Sequence, residues 1–266
     1  MAISSPLGRR QTVAALLTLT FVTGLVDAVS YLRLGHVFVA NMTGNVVFLG
    51  FSADPRSGLS AAASVIAIAG FVLGAFAGGR AGHHLSARHL RGWLTGAFAA
   101  EALIIGTVAA LAGVGLLPYA GDGRFATIAI LASALGVQNS TVRHLGAPDL
   151  TTTVLTLTLT GVAADSTLAG GPGSRPHRRL GSVAVMLAGA AAGAGILQLS
   201  PTAVLALAAI LAAAVSLTFL TASRAPASSA PTRAPVRPTP IPAPARPAPI
   251  PAPARPAPIP APAGRT

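Results

Sequence analysis

The sequence predicts an all-α polytopic membrane protein with six transmembrane helices and two short re-entrant or broken segments. Its composition is the first reason: 52% of residues are hydrophobic and 9% are charged, with a mean hydropathy of +0.69, which is typical of integral membrane proteins. The second is a set of charge-poor stretches near the ~20 residues that cross a bilayer. The third is a pair of shorter, more polar stretches at matching places in the two halves.

Six stretches are long and apolar enough to be spans. They lie at about 12–32, 59–79, 92–117, 125–142, 180–199 and 202–223, and Ser200 with Pro201 separates the last two. The first follows Arg9 and Arg10 and so also has the outline of a signal peptide. Because it has a counterpart at 125–142, we predict a retained span.

The two short stretches read FVANMTGNVVFLG from Phe38 to Gly50 and DLTTTVLTLTLTG from Asp149 to Gly161, 111 positions later. Both are too short and too polar for an ordinary span. Paired short segments at matching positions of two halves are a pointer to a transporter's binding site. The alternation of Leu and Thr over 155–160 leaves a β-strand as the alternative for the second stretch.

A shift of about 111 residues lays the first half on the second and predicts a repeat. Glycines support it, because Gly70, Gly74 and Gly78 recur at spacing four, as do Gly189 and Gly193. Such spacing lets helix backbones approach closely in a membrane. We predict a cytoplasmic N-terminus over 1–11, membrane repeats over 12–117 and 123–223, and a tail over 224–266.

Arginine placement predicts the topology. Twelve arginines precede the tail. If neither short stretch crosses and the N-terminus is cytoplasmic, nine of them lie on the cytoplasmic face and three on the other face. If both stretches cross, the count is seven against five. The positive-inside rule therefore favours six spans with cytoplasmic N- and C-termini. Three spans per half make the halves an inverted 3+3 repeat.

The tail differs from the rest of the chain. Residues 224–266 hold 15 of the 22 prolines and six of the 18 arginines. Such a segment has little means of burying apolar surface, so we predict a disordered, polyproline-type extension whose arginines rest on anionic lipids.

The candidate binding site combines both short stretches. We expect residues 36–40 to descend into the membrane, Asn41 to Gly44 to turn, and Asn45 to Phe51 to return as a half helix capped by Asn41. Asp149 would cap the second half helix. Two helix N-termini near the midplane suit an anionic or dipolar solute. The predicted substrate-binding residues are Asn41, Thr43, Gly44, Asn45, Asp149, Thr151, Thr152 and Thr153.

Two acids lie inside predicted spans, where an unpaired charge is costly. We predict that Asp27 and Glu101 couple transport to protons or ions; the alternatives are solvation of Asp27 at the interface and a structural hydrogen bond of Glu101. Gln138, Asn139 and Ser140 are supporting polar residues or helix–helix contacts.

The sequence offers little for catalysis. It has no cysteine and no nucleotide-binding, nucleophile or zinc-hydrolase motif, and His83, His84 and His89 are poorly spaced for a metal. We predict no enzyme activity, metal or cofactor. The net charge of +12 comes entirely from arginines at segment ends and in the tail, which indicates membrane orientation rather than nucleic-acid binding.

Two motifs carry a family resemblance. GLVDAVSYLRLGHVFVANMTGN (Gly24 to Asn45) and GVQNSTVRHLGAPDLTTTVLTLTLTGVAAD (Gly136 to Asp165) resemble the YoaK-like family of bacterial inner-membrane proteins, whose function is uncharacterised. The resemblance covers residues 12 to about 222 and implies a multi-span protein of a bacterial inner membrane. It implies no substrate, activity or site residue.

These observations predict a small-solute transporter or channel, with an anion as the first candidate solute. The alternative is a non-transporting scaffold or sensor that presents its Arg-rich loops and proline-rich tail to cytoplasmic partners; an intramembrane enzyme ranks third. Membrane lipids are the expected partners, with a homo-oligomer as an open alternative.

Overall fold

A computed structural model describes residues 5–145, 155–171 and 176–222, and the predicted tail lies outside these ranges. The described residues form helices without a strand. The helices are α1 (Arg9–Arg33), α2 (Met42–Phe51), α3 (Ala61–Gly113), α4 (Arg124–Leu145), α5 (Leu155–Ala164), α6 (Pro176–Ile196) and α7 (Pro201–Thr221), with short 3₁₀ turns at Pro55–Ser57 and Thr167–Ala169.

The all-helical prediction is confirmed, and five helical stretches are long and apolar enough to cross a membrane. They are Arg9–Arg33, Ala61–Leu85, His89–Gly113, Arg124–Leu145 and Pro201–Thr221. A sixth apolar stretch, Leu180–Ile196, is shorter. The strand alternative for 155–160 is wrong, because Leu155–Ala164 is a helix: a helix satisfies its own backbone hydrogen bonds, whereas an open strand edge does not.

The long α3 is two helices joined at a kink. His89 has the non-helical dihedral angles φ −146° and ψ 59°, which separate α3a (Ala61–Leu85) from α3b (His89–Gly113). Three pairs of helices then make the main packing: α3 lies against α4, α3 against α7, and α1 against α6.

α1 and α6 approach closely through glycines and run in the same direction. A Cβ on Gly24 would lie 2.7 Å from the Met186 carbonyl oxygen, and one on Gly189 would collide with the Phe21 carbonyl. One turn further along both helices, Gly193 lies against Leu25 and Ala28. Close backbone contact gains van der Waals energy where apolar burial offers no advantage over lipid.

α3a and α4 are packed in the same way and are also parallel. Gly70 lies against Ala129, and Gly74 against the Ser133 carbonyl. Gly136 on α4 fits against the Phe71 carbonyl oxygen in return. The Ser133 hydroxyl donates to the Gly70 carbonyl at 3.1 Å. The predicted role of the spaced glycines in helix packing is therefore confirmed.

α3b and α7 are antiparallel. Gly113 lies against Thr202 at one end, and the Ser216 hydroxyl donates to the Thr95 carbonyl at 2.8 Å towards the other. Beyond it, Arg91 donates to the carbonyls of Leu220 and Ala222. These groups at the end of α7 have no partner within the helix, and a cation there also suits the helix dipole.

Two apolar clusters fix the direction of α1 relative to α4. Leu16 and Leu19, early in α1, share a cluster with Leu145 at the end of α4. Val29, late in α1, shares the other cluster with Ile128 near the start of α4. The two helices are therefore antiparallel.

Candidate functional site

The chain turns back towards the protein at the end of α1. Gly35 (φ 97°) and His36 (φ 57°) both have left-handed backbone conformations, and the His36 N–H donates to the Tyr31 carbonyl at 3.1 Å. This is a Schellman-type end, for which glycine is favoured because it lacks a Cβ. The turn directs residues 37–41 alongside α1.

Asp27 holds residues 37–41, the returning segment. Its Oδ1 accepts hydrogen bonds from the N–H groups of Val39, at 3.1 Å, and Ala40, at 3.0 Å, and the side chain is only 5% exposed. Asp27 lies six residues before the end of α1, which is about 9 Å along the helix axis. The irregular segment therefore reaches this depth beside α1, and its amides are satisfied by protein. The interfacially solvated alternative for Asp27 is wrong, since the carboxyl group is buried.

Asn45 holds the same segment from the other side. Its Oδ1 accepts from the Phe38 N–H at 2.9 Å, and its Nδ2 donates to the Phe38 carbonyl at 2.6 Å. The Phe38 ring stacks on Tyr31 and on Phe48, with centroid separations of 5.0 and 5.6 Å, and these two rings are 6.0 Å from each other. Three consecutive N–H groups, those of residues 38–40, are thus bound by buried side chains of α1 and α2.

Asn41 is the N-cap of α2, as predicted. Its side chain accepts from the Gly44 N–H at 3.5 Å. The helix begins at Met42, so the predicted start at Asn45 was three residues late, because the cap takes effect directly after Asn41. Gly44 lies inside the first turn, against the Phe38 ring. Asn41 and Thr43 are exposed.

The corresponding residues of the second half lie mostly outside the described ranges. This holds for Asp149, Thr151, Thr152 and Thr153, so their predicted meeting with the first site stays a prediction. In the described part, α5 packs against α6, as α2 packs against α3. The predicted supporting residues lie on α4: Asn139 donates to the Leu135 carbonyl and Ser140 to the Val137 carbonyl, both at 2.9 Å.

Glu101 lies in a second polar site, built by three helices. The Gln138 amide has one atom 2.5 and 3.3 Å from the two Glu101 carboxyl oxygens. Its other atom is 3.0 Å from the Thr23 hydroxyl oxygen. Glu101, Gln138 and Thr23 are exposed by 1, 1 and 3%, so bulk solvent does not stabilise a charge here.

The two acids that the sequence singled out thus bind different partners. Asp27 binds backbone amides of the returning segment, and Glu101 binds Gln138. Thr23 was missed by sequence reasoning. The signal was present, since Thr20, Thr23, Asp27 and Ser30 are spaced three, four and three residues apart and therefore share one helical face.

An apolar groove of about 450 Å³ lies beside the kink of α3. Small residues of α3a and α3b line it together with His89 and Trp93, and none of the predicted site residues contributes. Within the described ranges, no group of three or more His, Asp or Glu side chains is arranged to hold a metal ion.

The comparisons with known proteins agree on a family. Residues 15–218 match the family described as "Protein of unknown function (DUF1275)". The chain is 34% identical to the UPF0700 transmembrane protein YoaK of Bacillus subtilis (strain 168) over 164 residues. This alignment covers 59% of the chain and 67% of YoaK. No solved structure matches the chain. The match over residues 15–218 shows that this integral membrane protein belongs to the uncharacterised DUF1275 family, as the two motifs predict.

Proposed function

We propose that six helices cross the membrane and that α2 and α5 do not. The helix directions support this proposal. α4 runs opposite to α1, and α3a runs parallel to α4, so α3a starts on the face where α1 ends. The segment between them, which contains α2, then enters and leaves on one face. α6 runs parallel to α1, so by the same reasoning α5 enters and leaves on the opposite face.

The same contacts support an inverted repeat. Gly24 and Gly136 are 112 positions apart, and the carbonyls they meet, those of Met186 and Phe71, are 115 positions apart. Gly189 and Gly74 repeat this reciprocity: they meet the carbonyls of residues 21 and 133, again 115 and 112 positions apart. The first helix of each half therefore packs against a helix of the other half: α1 against α6, and α4 against α3a. Random glycine contacts would not preserve both offsets.

We infer that this bundle is a transporter or channel for a small anionic or dipolar solute in a bacterial inner membrane, with both termini cytoplasmic. The observation that carries the proposal is the returning segment 37–41, in which Asp27 and Asn45 bind the amides of residues 38–40 beside the last turns of α1. An irregular backbone followed by a half helix at this depth is typical of transporter sites. The start of α2 also has exposed residues, Asn41 and Thr43, beside its positive dipole end.

Flux measurements test this proposal. We expect purified protein in proteoliposomes to carry at least one solute from a panel of chloride, nitrate, phosphate, acetate and neutral amino acids above the rate of protein-free vesicles. Asn41→Ala should lower that flux about tenfold or more, because it removes a polar group beside the start of α2. Ser52→Ala, at the other end of α2, is the matched control and should leave flux unchanged.

Two results would contradict the proposal. Flux of every solute at the rate of protein-free vesicles, with protein that is folded and monodisperse, would refute transport. Equal flux in Asn41→Ala and Ser52→Ala would refute a site at the start of α2. A scaffold would give the first result and would instead lose cytoplasmic partners on loss of residues 80–91 or of residues 224–266.

Cysteine labelling tests the crossings independently, because the chain has no native cysteine. Ser57→Cys should react with a membrane-impermeant maleimide from outside the cell, whereas Ser174→Cys should react only after permeabilisation. Labelling of both positions from the same side would refute the six-crossing arrangement.

A further inference from the structure

The hydrogen bonds of Glu101 depend on where a proton lies. A carboxylate only accepts hydrogen bonds, whereas a protonated carboxyl group has one O–H donor. Gln138 offers an acceptor oxygen at one end of its amide and a donor nitrogen at the other. Which end faces Glu101 is therefore set by the protonation state of the carboxyl group.

The arrangement with a protonated Glu101 satisfies all three side chains. Its O–H donates to Gln138 Oε1, the Gln138 Nε2 donates to the Thr23 hydroxyl at 3.0 Å, and the Thr23 hydroxyl donates to the Leu19 carbonyl at 2.9 Å.

An ionised Glu101 is compatible with the same atoms in a reversed order. If the Gln138 amide turns over, its nitrogen donates to both carboxylate oxygens and its oxygen accepts from the Thr23 hydroxyl. The only bond lost is that from Thr23 to the Leu19 carbonyl. Both protonation states therefore have a connected network, and no large movement separates them.

We propose that Glu101 is a reversible proton-binding site and that the Gln138 amide and the Thr23 hydroxyl reverse their hydrogen bonds when the proton leaves. The released proton is taken up by a water molecule of the surrounding buffer, which becomes hydronium, so charge and atoms balance. This inference deepens the proposed transport function by naming a proton as the coupling ion. It assigns that role to Glu101 and leaves Asp27 as the structural support of the returning segment.

The helices packed around Glu101 are α1, α4 and α7, and other titratable groups lie on α1, on α4 and on its own helix α3. α7 has none from Pro201 to Thr221. On α1, Asp27 is one turn from Thr23 and is bound to the Val39 and Ala40 amides. Among the side chains that the structure describes, the other titratable groups of these helices lie at or near helix ends or at the kink of α3: Arg9, Arg10, Tyr31 and Arg33 on α1, Arg124, Arg143 and His144 on α4, Arg80, His83, His84 and His89 on α3, and Arg91, which binds the end of α7.

Infrared difference spectroscopy tests the proposal without a transport assay. Purified protein in nanodiscs, cycled between acidic and alkaline buffer, should show a carboxylic C=O band that shifts in D₂O. The band should disappear in Glu101→Gln, a variant of nearly the same shape, and remain in Asp27→Asn. In Gln138→Leu its frequency should rise, because the carboxylic O–H loses its hydrogen-bond acceptor. Thr23→Val should shift it by a smaller amount.

Two outcomes would overturn the inference: a difference spectrum of Glu101→Gln identical to that of the native chain, or a band that Gln138→Leu and Thr23→Val both leave unmoved. Transport and the proton site can be refuted independently. A Glu101 band in a protein without solute flux would support the proton site and refute transport. Solute flux without the band would support transport and refute the proton site.

Discussion

The surroundings of the two buried acids, Asp27 and Glu101, differ in the kind of donor they meet. Asp27 faces two backbone N–H groups, and a backbone N–H can only donate. Glu101 faces a side-chain amide, which can donate or accept after rotating about its last bond. Both acids are buried in apolar helices, yet only the second has partners that can reverse.

This difference distinguishes the structural role of Asp27 from the proposed proton-binding role of Glu101. The bonds to Asp27 keep the same direction whether or not the acid carries a proton, so they fix the position of residues 39 and 40. The bonds to Glu101 change direction with the proton, so they can report its presence. An acid inside a membrane helix is therefore not in itself a coupling site; the chemistry of its partners decides.

The largest expected effect is that of Asp27→Leu. This change leaves the buried Val39 and Ala40 N–H groups without an acceptor, at roughly 1–3 kcal/mol each, so we expect a loss of about 2–6 kcal/mol in the free energy of unfolding. Thermal unfolding in detergent, followed by size-exclusion chromatography of the soluble fraction, measures it. Asp27→Asn keeps an acceptor oxygen and should lose much less; equal losses in the two variants would show that the amides are not held by Asp27.

Sequence reasoning predicted the helices and the half helix but not the partners of the acids. The spans and the Asn41 cap follow from apolar length and local capping chemistry, which act within a few residues. The bonds from Asp27 to Val39 and Ala40 depend on the reversal at Gly35 and His36, which a glycine suggests but does not specify. The Glu101 and Gln138 contact joins positions 37 apart through helix packing. Composition and local sequence do not indicate which residues helix packing brings together.

A smaller effect is expected for Asn45→Ala, which removes the second support of the returning segment. It leaves the N–H and the carbonyl of Phe38 without their partner, but Phe38 is only partly buried, so water can replace part of the loss. We expect a decrease of about 1–2 kcal/mol in the free energy of unfolding, measured by the same thermal assay. Thr43→Ala, two residues earlier on an exposed position of α2, is the control. A loss as large as that of Asp27→Leu would mean that both side chains act as one unit.

The smallest effect distinguishes Thr23 from another buried threonine. Thr23→Val removes the hydroxyl that pairs with Gln138, and the amide is then left with one unpaired end. We expect a loss of about 1 kcal/mol in the free energy of unfolding, typical of one hydrogen bond. The matched control is Thr141→Val, because the Thr141 hydroxyl is fully buried and has no hydrogen-bond partner among the described residues.

Removing that unpaired hydroxyl should be neutral or stabilising, since valine has nearly the same shape and no group to desolvate. Thermal unfolding of both variants in one detergent gives the comparison directly. If Thr141→Val costs as much as Thr23→Val, the hydroxyls act only through packing. The hydrogen bond between Thr23 and the Gln138 amide would then contribute nothing to stability, and Thr23 would have no part in the proposed reversal at Glu101.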